Sequence, residues 1–144
     1  MNTCLRARTI IQGGEKFPEL CGQALFFQQK ESVLLEISVS GLPRNSSGFF
    51  ALHIHEGEDC GGEEFADTKA HYNPEKTGHP KHAGDLPPLL SCHGKAYMKV
   101  KTDRFTVCEI LGKTLVIHNQ ADDFTTQPAG NAGEKIACGT IQKY

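Results

Sequence analysis

Seven short β-prone runs, "ARTIIQ", "CGQALFFQQ", "SVLLEISVSG", "FFALHIHE", "AYMKVKT", "RFTVCEI" and "TLVIHN", follow one another along the chain with turn residues between them. Their Val, Ile, Phe and Thr content and their Gly, Pro, Asn and Asp punctuation predict antiparallel β structure. No segment carries sustained apolar spacing at the helical period, so no substantial helix is expected. In "LLEISVS", Leu35, Ile37 and Val39 share one face, while Glu36, Ser38 and Ser40 take the other. That is the pattern of a half-buried strand. "AYMKVKTDRFTV" predicts a hairpin turning near Thr102 and Asp103, and seven or eight such strands form a sandwich or small barrel.

A chain of 144 residues suits one domain, residues 1–144, that removes roughly 68% of its unfolded surface from water. Metal is therefore not needed merely to make it fold. Lys plus Arg number 15 against 17 Asp plus Glu, for a net charge of -2. Without a uniformly basic face, nucleic acid is not expected as a partner. No apolar run reaches the roughly 18 residues of a membrane-spanning helix, so no membrane partner is expected either. "MNTCLRARTII" carries basic charge without the apolar segment and cleavage site of a secretory signal. The expected compartment is the cytoplasm if the chain is complete, and an extracytoplasmic one if a leader was removed. The six cysteines, Cys4, Cys21, Cys60, Cys92, Cys108 and Cys138, contain no CxxC pair, which weakens zinc-knuckle and thioredoxin-like readings.

Two stretches break the β rhythm. Residues 56–88 hold five glycines and four prolines, and residues 119–134, "NQADDFTTQPAGNAGE", form a second long loop. Connections this long in a compact domain are either disordered or functional. The histidines favour function. His53 and His55 lie two apart on a predicted strand, which points both imidazoles to one face. His118 closes another β run, and "HYNPEKTGHPKHAGD" adds His71, His79, His82 and Asp85. Each alone reads as a surface or hydrogen-bonding residue; seven together exceed the four or so ligands of one closed zinc site. Two metals are the economical solution, zinc with imidazoles and Asp85, and copper with imidazoles. Filling both sites requires one histidine to serve twice, and His71, at the start of the loop, is the natural one.

"HIH", "HYNP", "HAGDL", "LVIHNQADD" and "GNAGEKIACG" occur in an order that resembles the copper, zinc superoxide dismutase family, from about residue 7 to the end. The resemblance implies an all-β fold, an eight-stranded antiparallel Greek-key β-barrel or flattened sandwich with two long functional loops. It implies copper held by His53, His55, His71 and His118, and zinc held by His71, His79, His82 and Asp85, with His71 as bridge. Asp122, by itself a turn residue, resembles the carboxylate that links the two sites through His53 and His79. Cys60 and Cys138 correspond to the family's disulfide between the first long loop and the last strand. Cys4, Cys21, Cys92 and Cys108 have no assigned pairing: Cys92 and Cys108 lie in neighbouring predicted segments, and buried free thiols are the alternative for all four.

The implied activity is dismutation of superoxide anion, with copper cycling between two oxidation states and His71 taking up and returning a proton. Where the family places an arginine before the final cysteine, "GNAGEKIACG" has Lys135. That residue keeps the charge that attracts a small anion but loses the planar donor fork, so a reduced rate is expected. By itself Lys135 is an ordinary solvated lysine. The second loop is also short and carries "FTTQPA" where the family often has charge, and "HEGEDC" departs from the usual glycine placement. The alternatives are a non-catalytic copper-binding or copper-delivery module, a zinc hydrolase with no evident open coordination position, and a purely structural β domain. A monomer and a homodimer are equally admissible.

Overall fold

Alternation of inward and outward side chains closes these runs around one core in the computed structural model, which describes residues 5–144. The strands are β1 (Arg6–Gly13), β2 (Cys21–Gln28), β3 (Val33–Ser40), β4 (Phe49–His55), β5 (Asp85–Leu90), β6 (Ala96–Thr102), β7 (Thr114–His118) and β8 (Lys135–Lys143). One antiparallel sheet runs β5-β4-β7-β8-β1-β2-β3-β6, and its two edge strands approach each other to leave a nearly closed barrel. β3 and β4 are consecutive in sequence but lie in different halves of the sheet, as do β5 and β6; these are the crossovers of the Greek key.

Leu35, Ile37 and Val39 point inward as their alternation predicts and meet Ile11, Phe26, Leu52, Ile54, Leu115, Ile117 and Ile141. β4 and β7 differ from the other strands because they are buried on both faces. Leu52, Ile54, Leu115 and Ile117 fill the barrel, and the intervening His53, His55, Val116 and His118 lie on its outer face beneath the two long loops.

The sequence and the structure part at residues 104–110. "RFTVCEI" is not the second arm of a hairpin: Val107–Ile110 form α1, a single helical turn. Thr106 caps it by accepting from the Glu109 N–H, and Glu109 accepts from the Thr106 N–H at 2.8 Å. This reciprocal box satisfies donors that a β ladder would otherwise have taken. The first long loop ends at Gly84, earlier than expected, and "DLPPLL" is β5 despite Pro87 and Pro88. An edge strand tolerates prolines because one side of it needs no donors.

Cys60 and Cys138 form the disulfide, across a sequence separation of 78. Closing a loop of that length is worth about 4.5 kcal/mol in the chain-entropy account, and the bond pins the first long loop to β8. Cys21 and Cys92 are exposed thiols and Cys108 is also exposed, so burial does not explain them; Cys4 lies outside the described residues.

Candidate metal centre

β4 is the platform of the site. His53 pairs with Asp85 of β5 on one side and Val116 of β7 on the other, so these three share the outer face. His55 lies two residues along on the same face, and His118, two residues beyond Val116, closes β7 diagonally from His53. The first long loop returns over this platform through a bridge between His71 and His55 and brings His79 and His82 with it. All seven predicted ligands are brought together, each no more than 8% exposed. The remaining histidine, His93, lies exposed in the turn between β5 and β6.

Hydrogen bonds fix which ring nitrogen carries the proton in His53, His55, His71, His79 and His118. Asp122 accepts from His53 Nε2 at 2.9 Å and from His79 Nε2 at 2.7 Å, leaving Nδ1 of both rings as a lone pair. Nδ1 of His55 donates to the Lys69 carbonyl at 2.8 Å, and Nδ1 of His118 donates to the Gly133 carbonyl at 3.3 Å. Their Nε2 atoms then confront each other at 3.1 Å, lone pair to lone pair. His71 Nδ1 donates to Asp85 Oδ1 at 2.9 Å, and its Nε2 is buried without a partner, as is His53 Nδ1. Buried acceptors crowded together without donors are costly by themselves, and bound cations would satisfy them.

The acceptors fall into two groups whose ligand atoms lie within 4.8 Å of one another: His53, His55, His71 and His118; and His53, His71, His79 and Asp85. In the second group His53 Nε2 is already spent on Asp122, whereas His82 Nδ1 lies 3.1 Å from His71 Nδ1 and 3.3 Å from Asp85 Oδ2. His79 Nδ1 is 3.0 Å from Asp85 Oδ2 without hydrogen-bonding alignment. The second group thus contains His53 and not the expected His82, whose Nδ1 lies beside it. His53 and His71 stand in both groups, and of these His71 turns Nδ1 toward Asp85 while its Nε2 has no partner. Imidazole with one carboxylate suits zinc, and imidazole alone suits copper, so the donors fit both ions.

Burial favours the neutral form of His53, His55, His82 and His118. It lowers the pKa of His55 and His118 first, and their histidine neighbours add to the effect, taking His118 down to about 3. His53 and His82 are lowered, again chiefly by burial. For Asp122 burial acts upward, but the hydrogen bonds from His53 and His79 outweigh it and keep the carboxylate ionised. Gly130 lies over this link at φ +70, where a Cβ would come 2.0 Å from Asp122 Oδ1. Only glycine lets the second loop approach so closely.

Lys135, opposite His118 in the ladder, reaches the rim of the site. Its ammonium donates to Thr68 Oγ1 at 2.7 Å and to the Lys69 carbonyl at 3.1 Å, the same carbonyl that holds His55. Partial burial lowers its pKa. The sequence offered no sign of this shared acceptor. It also gave none of Arg104, whose Nη1 donates to the Pro80 carbonyl at 2.6 Å and the His82 carbonyl at 3.2 Å, or of Gln127, which pairs with the main chain of His79.

Eight antiparallel strands carrying two groups of side chains that could hold metal define a Greek-key barrel of metal-binding type. The chain belongs to the copper/zinc superoxide dismutase (SODC) family, whose pattern matches residues 20–141. It is 35% identical to superoxide dismutase [Cu-Zn] 1 of Aquifex aeolicus, over 94% of this chain and 86% of that protein. It is also 35% identical to the extracellular superoxide dismutase [Cu-Zn] of Caenorhabditis elegans, over 95% of this chain and 69% of that one. A crystal structure of a double mutant of a superoxide dismutase-like protein from Bacillus subtilis superposes with a TM-score of 0.81 at 27% identity, covering 94% of this chain and 96% of that one.

Asp122 orients one ring of each set, so its removal acts on both. Asp122→Ala is expected to weaken binding of added zinc by about 10–100-fold, measured by chelator competition. Unchanged affinity would mean that the loops alone hold His53 and His79 in place.

Proposed function

We propose that this chain is a superoxide dismutase, converting two superoxide anions and two protons into dioxygen and hydrogen peroxide. Copper would be held by His53, His55, His71 and His118, and zinc by His71, His79, His82 and Asp85, with His71 serving both sets. Residues 1–144 act as one domain. Bound copper supplies one-electron exchange by changing oxidation state.

The side chains supply the rest. Asp122, the Lys69 carbonyl and the Gly133 carbonyl keep lone pairs aimed inward at His53, His55, His79 and His118. His71 Nε2 is the atom that holds a proton between the two half-reactions, because its Nδ1 is engaged on the Asp85 side. Lys135 draws the anion to the rim, and two of its three donors are already committed to Thr68 and Lys69. One donor remains for superoxide, without the fork an arginine offers.

The observation that carries this function is the crowding of unpartnered, buried imidazole nitrogens, His53 Nδ1, His71 Nε2 and His79 Nδ1, beside the facing pair His55 and His118. The commitment of Lys135 to protein acceptors favours a second reading, copper binding without turnover. The two separate on reconstitution with one copper and one zinc per chain and measurement of superoxide decay by pulse radiolysis. Copper-dependent decay well above that of metal-free protein is expected. Correct occupancy with only spontaneous decay leaves the non-catalytic copper module.

A further inference from the structure

We propose that Gln127 is a positioning residue of the zinc site, gripping the main chain of His79 from the second long loop; this rests on the zinc set given above. The stretch from His71 to Gly84 contains no regular strand or helix, so its ligands need anchoring from outside. Asp122 fixes the His79 ring at Nε2, but nothing in that contact fixes the backbone that carries it. The Gln127 carboxamide does so at two points. Its Oε1 accepts from the His79 N–H at 2.8 Å, and its Nε2 donates to the His79 carbonyl at 2.7 Å.

The grip is itself braced. Gln127 Nε2 also donates to the Thr125 carbonyl at 3.2 Å, and Asp123 Oδ1 accepts from the Thr125 and Thr126 N–H groups at 2.8 Å each. Gly78 lies flush against the carboxamide, where a Cβ would sit 3.4 Å from Oε1. Arg104 holds the carbonyls of Pro80 and His82 just beyond. The segment from His79 to His82 is therefore clamped from two separate parts of the chain, with Gln127 on the His79 side. In this chain the short second loop gives a zinc ligand its backbone position, and zinc affinity reports the clamp.

Gln127 is exposed, so its replacement removes no core packing and leaves a foldable barrel. The experiment uses the full chain and measures zinc affinity by chelator competition, with cobalt(II) in place of zinc as a spectroscopic probe of ligand geometry. Gln127→Ala is expected to weaken zinc binding by about 10–100-fold and to alter the visible cobalt spectrum. Gln127→Glu keeps the acceptor for the His79 N–H and loses the donor to its carbonyl, so an intermediate loss is expected. Thr125→Ala keeps the main-chain atoms that brace the carboxamide and removes a hydroxyl bound to Asp123 in the same loop, so it is expected to bind zinc like the unaltered chain. Zinc affinity and cobalt spectrum unchanged in Gln127→Ala overturn the proposal, as does an equal loss in Thr125→Ala, which would mark a general loosening of the loop. Failure of the unaltered chain to bind zinc would instead overturn the zinc set itself, and the clamp with it.

Discussion

His118→Ala is expected to reduce copper-dependent superoxide decay to the spontaneous rate while leaving the metal-free barrel folded. The two effects separate because of what His118 does in each state. In the metal-free protein its Nε2 faces the Nε2 of His55 at 3.1 Å, an opposition of two buried acceptors that contributes no bond. Removing the ring relieves that opposition and offsets part of the packing lost at a site only 3% exposed. Metal-free thermal stability should therefore change little. At the proposed copper site the same substitution deletes one of four donors and leaves His53, His55 and His71, of which His53 and His71 also stand in the second group. Pulse radiolysis on the reconstituted variant, beside a thermal melt of its metal-free form, measures both. Full turnover in a folded His118→Ala protein would remove His118 from the copper set and favour a structural role for it.

How far the sequence could be read depended on whether a feature was local. The period of two in "HIH" sufficed to place His53 and His55 on one face, and "LLEISVS" was inward and outward as written. "RFTVCEI" misled because its Phe, Thr, Val and Ile have strand propensity. The competing signal, Thr106 three residues before Glu109, is a capping box, and it prevailed. β5 was hidden by Pro87 and Pro88, which are compatible with a strand only at a sheet edge, and edge position belongs to the tertiary fold. The same limit applies around the site. The candidate ligands appear as a cluster of titratable residues, but the Lys69 carbonyl that serves both His55 and Lys135 is a main-chain atom that any residue supplies. Gln127 and Arg104 act on main-chain atoms 48 and 22 to 24 residues away, a distance no local pattern spans.

Metal-free protein is expected to lose stability steeply as pH falls below about 6.5, with His55 and His118 as principal causes. Both start from an ordinary value of 6.5, and burial first, then histidine neighbours, lowers them in the fold, His118 to about 3. The unfolded chain therefore binds protons that the folded chain refuses, so stability is complete above 6.5 and falls as pH drops toward the folded values. At pH 5 each of the two sites costs about 2 kcal/mol relative to pH 8, or on the order of 4 kcal/mol together. Asp85 and Asp122 add loss of the same sign only at more acid pH, because contacts with their histidine neighbours outweigh burial and hold their folded values below the ordinary 3.8. Urea melts of chelator-treated protein at pH 8, 6 and 5 measure the slope. Loading with copper and zinc should shift the loss to lower pH, since a coordinated nitrogen must release its metal before it takes a proton. Equal stability of the metal-free protein at pH 8 and pH 5 would mean that these rings accept protons where they lie. The facing nitrogens of His55 and His118 would then share a proton, and their opposition would no longer argue for a cation between them.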